Sequence, residues 1–245
     1  MRIITLLLLF ATIVQIDRAD AEIRINSQAL TDKGHLLSNV VVYYVITNSH
    51  GQRLGYDPRK QQGYTEIEGS YGITDANDIP GIKSSIKPNN GNHLIELIGD
   101  TLMVFGLDVS MLQNINGKDI KNFDFEGIVD NGLTSKFQVV YSQDPVHPSL
   151  TVRRFATPLS LKQDIALSYR VGWIENGEIM ASLLKRVDVI EAAIVLQHSD
   201  TAKNQLAAFV NDVNTQNGKC IKDEAAKILL EDAQYIIEHL EEELW

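Results

Sequence analysis

Apolar residues between 160 and 240 recur at steps of three or four, a rhythm that predicts a series of helices. In 204–213, Leu206, Phe209, Val210 and Val213 stand at i, i+3, i+4 and i+7, one stripe of a helix turned to a core. Four segments follow from this spacing. The first covers 164–173, with Ile165 and Tyr169 four apart, and the second covers 178–197, where Ile179, Leu183, Val187, Ile190 and Ile194 keep the step. The third starts with Asp200 as its cap and stops at Gly218, a residue that takes a left-handed conformation at low cost. The fourth spans 223–240 and carries Ala226, Leu229, Leu230, Ala233, Ile236, Ile237 and Leu240 on one side. Asp223 and Glu224 suit the positive end of its dipole, while Lys222 stands where a Ser or Thr cap is expected.

Upstream the period changes from 3.6 to 2. The β-branched and aromatic run 40–47 ends in the turn signal Asn48-Ser49-His50-Gly51, which should return the chain as a hairpin. Further strands are expected at 93–98, 101–109, 122–128 and 134–142, with tight turns at Gly99-Asp100 and Asn131-Gly132. Phe123 and Phe125 alternate with Asp124 and Glu126, and Phe137, Val139 and Tyr141 alternate with Gln138 and Ser142, giving one buried and one wet face. The pattern predicts a multi-domain chain, all-β followed by all-α: an antiparallel β-sandwich over 22–145 and a small helical bundle over 161–245. Residues 146–160, with Pro148 and Pro158, read as a linker crossed by few contacts.

The amino terminus sets the expected compartment. Arg2 precedes the apolar run from Ile3 to Ile16, and Ala19-Asp20-Ala21 places small residues where a signal peptidase reads, so residues 1–21 are expected to be removed before Glu22. Later stretches are too short in apolar length to span a bilayer. The formal net charge of -10 does not change on cleavage, because Arg2 and Arg18 leave with Asp17 and Asp20. An acidic chain without clustered Lys and Arg argues against nucleic acid or an anionic membrane as partner. Cys220 is the only cysteine, which excludes an intramolecular disulfide framework.

At the helical segments a resemblance becomes specific. Gly172-Trp173-Ile174, Ser182-Leu183, Asn204-Gln205-Leu206 through Asn211, Gly218-Lys219, Ala225-Ala226 and Ala233-Gln234-Tyr235-Ile236-Ile237 occur in an order that resembles the FIMAH domain, a helical module at the C-terminus of bacterial secreted and surface proteins. The likeness covers about a third of the chain. It implies a fold and an extracellular setting and brings no catalytic residue. The stretches Gly51 to Pro58, Glu66 to Tyr71 and 125–142 are similar to bacterial secreted β-sandwich modules that serve as spacers or accessory domains.

Motifs for catalysis are not legible. The six histidines fall on different elements without the close pairing of a zinc site, and neither a Gly-x-Ser-x-Gly elbow nor a Walker-type loop occurs. The acidic region 57–81 is the candidate metal site. Asp75, Asn77 and Asp78 place three oxygen donors in one loop, with Asp57, Glu66 and Glu68 nearby, and calcium takes such hard ligands, although the spacing is not that of an EF-hand. The competing reading is a turn whose Asp and Asn side chains bond their own backbone. Tyr56, Tyr64 and Tyr71 could stack on a sugar or peptide, or close the end of the sandwich. The expected function is a secreted, non-enzymatic accessory or binding module of the cell envelope or extracellular space, with a glycan or protein as partner. The alternative is a hydrolase using carboxylates of 57–78. A catalytic pair should converge in a pocket with one partner desolvated, whereas a binding module should offer a shallow surface.

Overall fold

The computed structural model describes residues 21–30, 42–72, 82–86, 88–113, 118–144 and 149–242. Within them the chain forms two antiparallel sheets and four helices. The strands in chain order are β1 (Ala21–Leu30), β2 (Tyr43–Thr47), β3 (Arg53–Asp57), β4 (Gln62–Thr65), β5 (Tyr71–Gly72), β6 (Ile82–Ile86), β7 (Gly91–Ile98), β8 (Met103–Gln113), β9 (Lys118–Val129), β10 (Thr134–Ser142) and β11 (Ser149–Phe155). One sheet has the order β5-β6-β1-β8-β9, the other β11-β10-β7-β2-β3-β4. The helices are α1 (Pro158–Arg170), α2 (Gly177–Val195), α3 (Ser199–Gln216) and α4 (Asp223–Glu238).

Alternation explains why these strands pair. On β1 and β8 the register sets Ile23 opposite Met111 and Ile25 opposite Val109, so one face of both strands is apolar. From the other sheet Tyr44 and Ile46, Ile95 and Leu97, and Phe137 enter the same core, with Ile95 beside both Ile46 and Phe137. Each such side chain, fully buried, stabilises the fold by about 1.5–3 kcal/mol. Polar ties run between the sheets as well: the Tyr44 hydroxyl donates to Ser84 Oγ at 2.5 Å. Burial pushes the Tyr44 phenol pKa up. The turn after β2 behaves as its sequence suggests, since Asn48 Oδ1 accepts from the backbone of His50 and Gln52 at 3.0 and 2.9 Å.

Residues 149–155 are a strand, not part of a linker. β11 pairs with β10 from Ser149 opposite Ser142 to Phe155 opposite Lys136. Leu150, Val152 and Arg154 point inward, and the arginine at the third inward position hides the apolar alternation from a sequence reading. Pro158, expected to interrupt regular structure, opens α1 at a position where its missing N–H costs nothing. Thr157 and Ser160 close a reciprocal capping box around it. Only Ala156 and Thr157 separate sheet from helix.

The helices pack around Leu183, Val187, Ile190, Leu206, Phe209, Leu229 and Ile236. Phe209 is fully buried in that cluster, which Leu230 flanks. The same cluster includes Val104 of β8 and Ile128 of β9, which face each other across their ladder. The sequence pattern predicts sparse contacts between the two parts; the bundle core reaches onto this end of the five-stranded sheet, whose outward apolar residues the helices cover, while the sandwich core forms a separate cluster. At the start of α3 the cap is His198 without a side-chain bond, and Asp200 lies one step inside, in the first turn. Lys222 caps α4 without a side-chain bond, and Gly218 takes a φ of 71°.

Candidate functional site

Asp75, Asn77 and Asp78 lie outside the described residues. Of their expected co-ligands, Asp57 and Glu66 are already engaged. Asp57 accepts from Arg59 Nε and Nη2 at 2.9 Å each, and Glu66 receives the guanidinium of Arg53 at 2.9 and 3.3 Å. These arginine hydrogen bonds hold both carboxyls below their ordinary pKa values. Among the described residues no group of three or more His, Cys, Asp or Glu side chains is placed to hold a metal ion.

The three tyrosines do not share a platform. Tyr56 lies against Tyr43 with ring centroids 5.4 Å apart. Tyr64 is buried with Val45 and Ile98, and Arg53 covers its ring at 4.0 Å. Tyr71 is 66% exposed on β5, in the other sheet.

A different constellation forms where the helices meet the sheets. Arg154 extends inward from β11 with its side chain 3% exposed, and its neighbours come from four elements. Nε donates to Asp232 Oδ1 of α4 at 3.2 Å, Nη1 to the Glu126 carbonyl of β9 at 3.2 Å, and Nη2 lies 3.7 Å from Asp164 Oδ2 of α1. The guanidinium also stands 5.2 Å from the centroid of the Phe137 ring on β10. Burial raises the Asp232 pKa well above the ordinary carboxyl value, and the charge of Asp164 adds to that rise. Burial raises Asp164 too, against the pull of Arg154. Asp232 Oδ2 finds no N–H or O–H donor, but the Asp232 carboxyl meets that of Asp164. One proton shared by the pair resolves both facts, leaving one negative charge opposite one arginine.

Two hollows flank this cluster. On one side a cavity of about 180 Å³ is bordered by Lys136, Thr157, Leu159, Gln163, Asp164 and Asp232. On the other an open groove of about 470 Å³ runs between α4 and strands β9 and β11. Its lining includes Phe125, Val152, Leu230 and Tyr235, and its polar residues include Arg153, Glu231, Gln234 and Glu238. Arg153 is positioned by Gln138 at 2.8 Å and Glu238 at 3.4 Å, with its guanidinium 5.2 Å from the Tyr235 ring centroid. Tyr235 is wedged between Phe155 and His239, centroids 5.3 and 4.0 Å away. A third hollow, of about 700 Å³, lies at the bundle end beside Ile194, Val195 and Leu240.

The sequence carries a signal for the cluster that apolar patterning misses. Asp164 sits in the stripe of Leu161, Ile165 and Ser168, Asp232 in that of Leu229, Ala233 and Ile236, and Arg154 at an inward strand position. Three charges of complementary sign on core-facing positions are a mark of a buried ionic cluster.

No helix among the described residues is long and apolar enough to cross a membrane. Neither a family model nor a curated protein matches the chain. The crystal structure of a domain of unknown function, DUF4425 from Bacteroides vulgatus, is similar to 56% of this chain and 85% of its own, at 11% identity and a TM-score of 0.16.

Proposed function

We propose that the chain is a secreted, non-enzymatic accessory module, an antiparallel β-sandwich with a FIMAH-like helical bundle, that holds a polypeptide segment of an extracellular partner in the groove between α4 and strands β9 and β11. The groove carries the reading. Its lining combines aromatic and aliphatic side chains with charged and amide groups, and both structural parts contribute, the usual composition of a shallow recognition surface. The aliphatic residues Val152 and Leu230 favour an apolar peptide side chain over a sugar, which seeks a flat exposed ring. Secretion is supported by Arg2 ahead of the apolar run 3–16 and by the small residues Ala19 and Ala21 before Glu22.

The test is capture by the mature chain, starting at Glu22, on arrays of extracellular matrix proteins and of glycans. Gln234→Trp fills the groove from an exposed position and should abolish capture, while Tyr71→Ala should not. Protein capture that survives Gln234→Trp, or binding confined to glycans, would overturn the assignment.

A further inference from the structure

The cluster lies between cavity and groove, and its two acids tie the groove wall to the sheet. Asp164 comes from α1, which follows β11 and packs on β9, and Asp232 from α4, which packs on β11 and β9, and both acids face the cation of Arg154. Asp232 stands next to Glu231, which borders the groove. The Asp164 side chain is 11% exposed and borders the cavity, so a proton can pass between solvent and the pair without unfolding.

We propose that the Asp164–Asp232 pair is a proton-operated clamp: with one proton shared it holds α4 against β11 and keeps the groove formed, and loss of that proton loosens the α4 wall. This rests on the groove being the binding site, whose occupancy the clamp would make dependent on pH.

The charge balance supplies the force. With the proton in place, one carboxylate faces one guanidinium. Without it, two neighbouring carboxylates share the same cation in a largely desolvated site, where like charges repel strongly. The other charged groups around the pair do not restore the balance. On α4, Glu231 adds a third acid, itself raised mainly by burial, and Lys227 is drawn to that residue. On β10, Lys136 borders the cavity, and on β9 only the Glu126 carbonyl meets the arginine.

Both aspartates are raised above the ordinary carboxyl value of 3.8, so the folded chain holds a proton that the unfolded chain has released. The stabilisation is complete below 3.8 and is lost as pH rises through the raised value. His93 acts in the opposite sense. Burial lowers its pKa, so its contribution is present above 6.5 and lost as pH falls. A weakening on going to alkaline pH therefore cannot come from that histidine.

Amide hydrogen exchange of the full chain without ligand, corrected for intrinsic rates, tests the clamp. Protection in α4 and β11 should fall about tenfold for each unit by which the proton is held above its ordinary value, as pH is taken from about 4 to a pH above the raised value. Asp232→Asn keeps a donor toward Asp164 and removes the titration, so its protection should be flat over that range. Wild-type protection that does not change, or an equal fall in Asp232→Asn, overturns the proposal. Carboxyl-carbon NMR of the wild type decides the matter if the variant does not fold: one of the pair must titrate above its ordinary range, and two ordinary titrations overturn the clamp. Both measurements need no partner, so an array without hits removes the groove reading alone. Equal capture at both pH values with intact groove dependence removes the clamp alone.

Discussion

Replacing Arg154 with Met should be among the most damaging single changes in the chain, and the reason is what it leaves behind. Met fills much the same volume beside Phe137, so the loss is electrostatic rather than a cavity. The arginine has contacts to two buried carboxyls and the Glu126 carbonyl, at 3.2, 3.7 and 3.2 Å. Breaking a buried ionic cluster by removing one partner costs about 3–5 kcal/mol. The abandoned pair can take up a second proton, and each unit of pKa rise needed for this costs about 1.4 kcal/mol, which bounds the loss. We therefore expect about 3 kcal/mol near neutral pH, and less in acid, where the second proton is readily taken up. For a chain of this size that corresponds to a melting point lower by about 6–12 °C. Urea unfolding followed by circular dichroism gives the number. The control is Arg154→Met with Asp164→Leu and Asp232→Leu, which removes all three charges and should return stability to within about 1 kcal/mol of wild type or exceed it. An Arg154→Met loss below about 0.5 kcal/mol, or one that the triple variant fails to relieve, would refute the buried cluster.

Phe209→Ala should destabilise by about 3–5 kcal/mol, because its fully buried ring leaves a cavity between helices; a melt equal to wild type would refute the placement. Calcium should not raise the melting temperature over that in chelator, since Asp57 and Glu66 are held by Arg59 and Arg53; a calcium site at Asp75, Asn77 and Asp78 would instead add about 2.7 kcal/mol at a hundredfold excess over Kd. The lowered carboxyls of Asp57 and Glu66 contribute stability present above their ordinary values of 3.8 and 4.5 and lost as pH falls through the lowered ones. Asp57→Asn should remove part of that acid limb in a series of melts against pH, and an unchanged limb would contradict the pairing.

Strands with clean alternation and helices with an unbroken apolar step are legible in the amino-acid pattern alone. β7, β9 and β10 contain the strands expected at 93–98, 122–128 and 134–142, β8 covers the expected 101–109 from Met103 onward, and α2 to α4 follow the predicted segments to within a few residues. What the pattern misses has common physical causes. β6 carries Ser84 and Ser85 at buried positions, where a period-two search looks for apolar side chains. β3 and β4 are short, and each includes a glycine. β11 and the functional candidates near it break the pattern for a single reason: Arg154, Asp164 and Asp232 are charges on inward positions, legible only when the three are considered together. The acidic loop, by contrast, stands out by composition, yet its described carboxylates Asp57 and Glu66 pair with arginines a few residues away or across a hairpin.

The most direct test of the binding account is to map where a captured partner touches the protein. A peptide from the strongest array hit, titrated into isotope-labelled mature chain, should shift the methyl signals of Val152 and Leu230 and the ring signals of Phe125, and lose these shifts in Gln234→Trp. Shifts centred instead on Tyr71, or on Val195 and Leu196 at the exposed end of α2, would contradict a groove between helix and sheets.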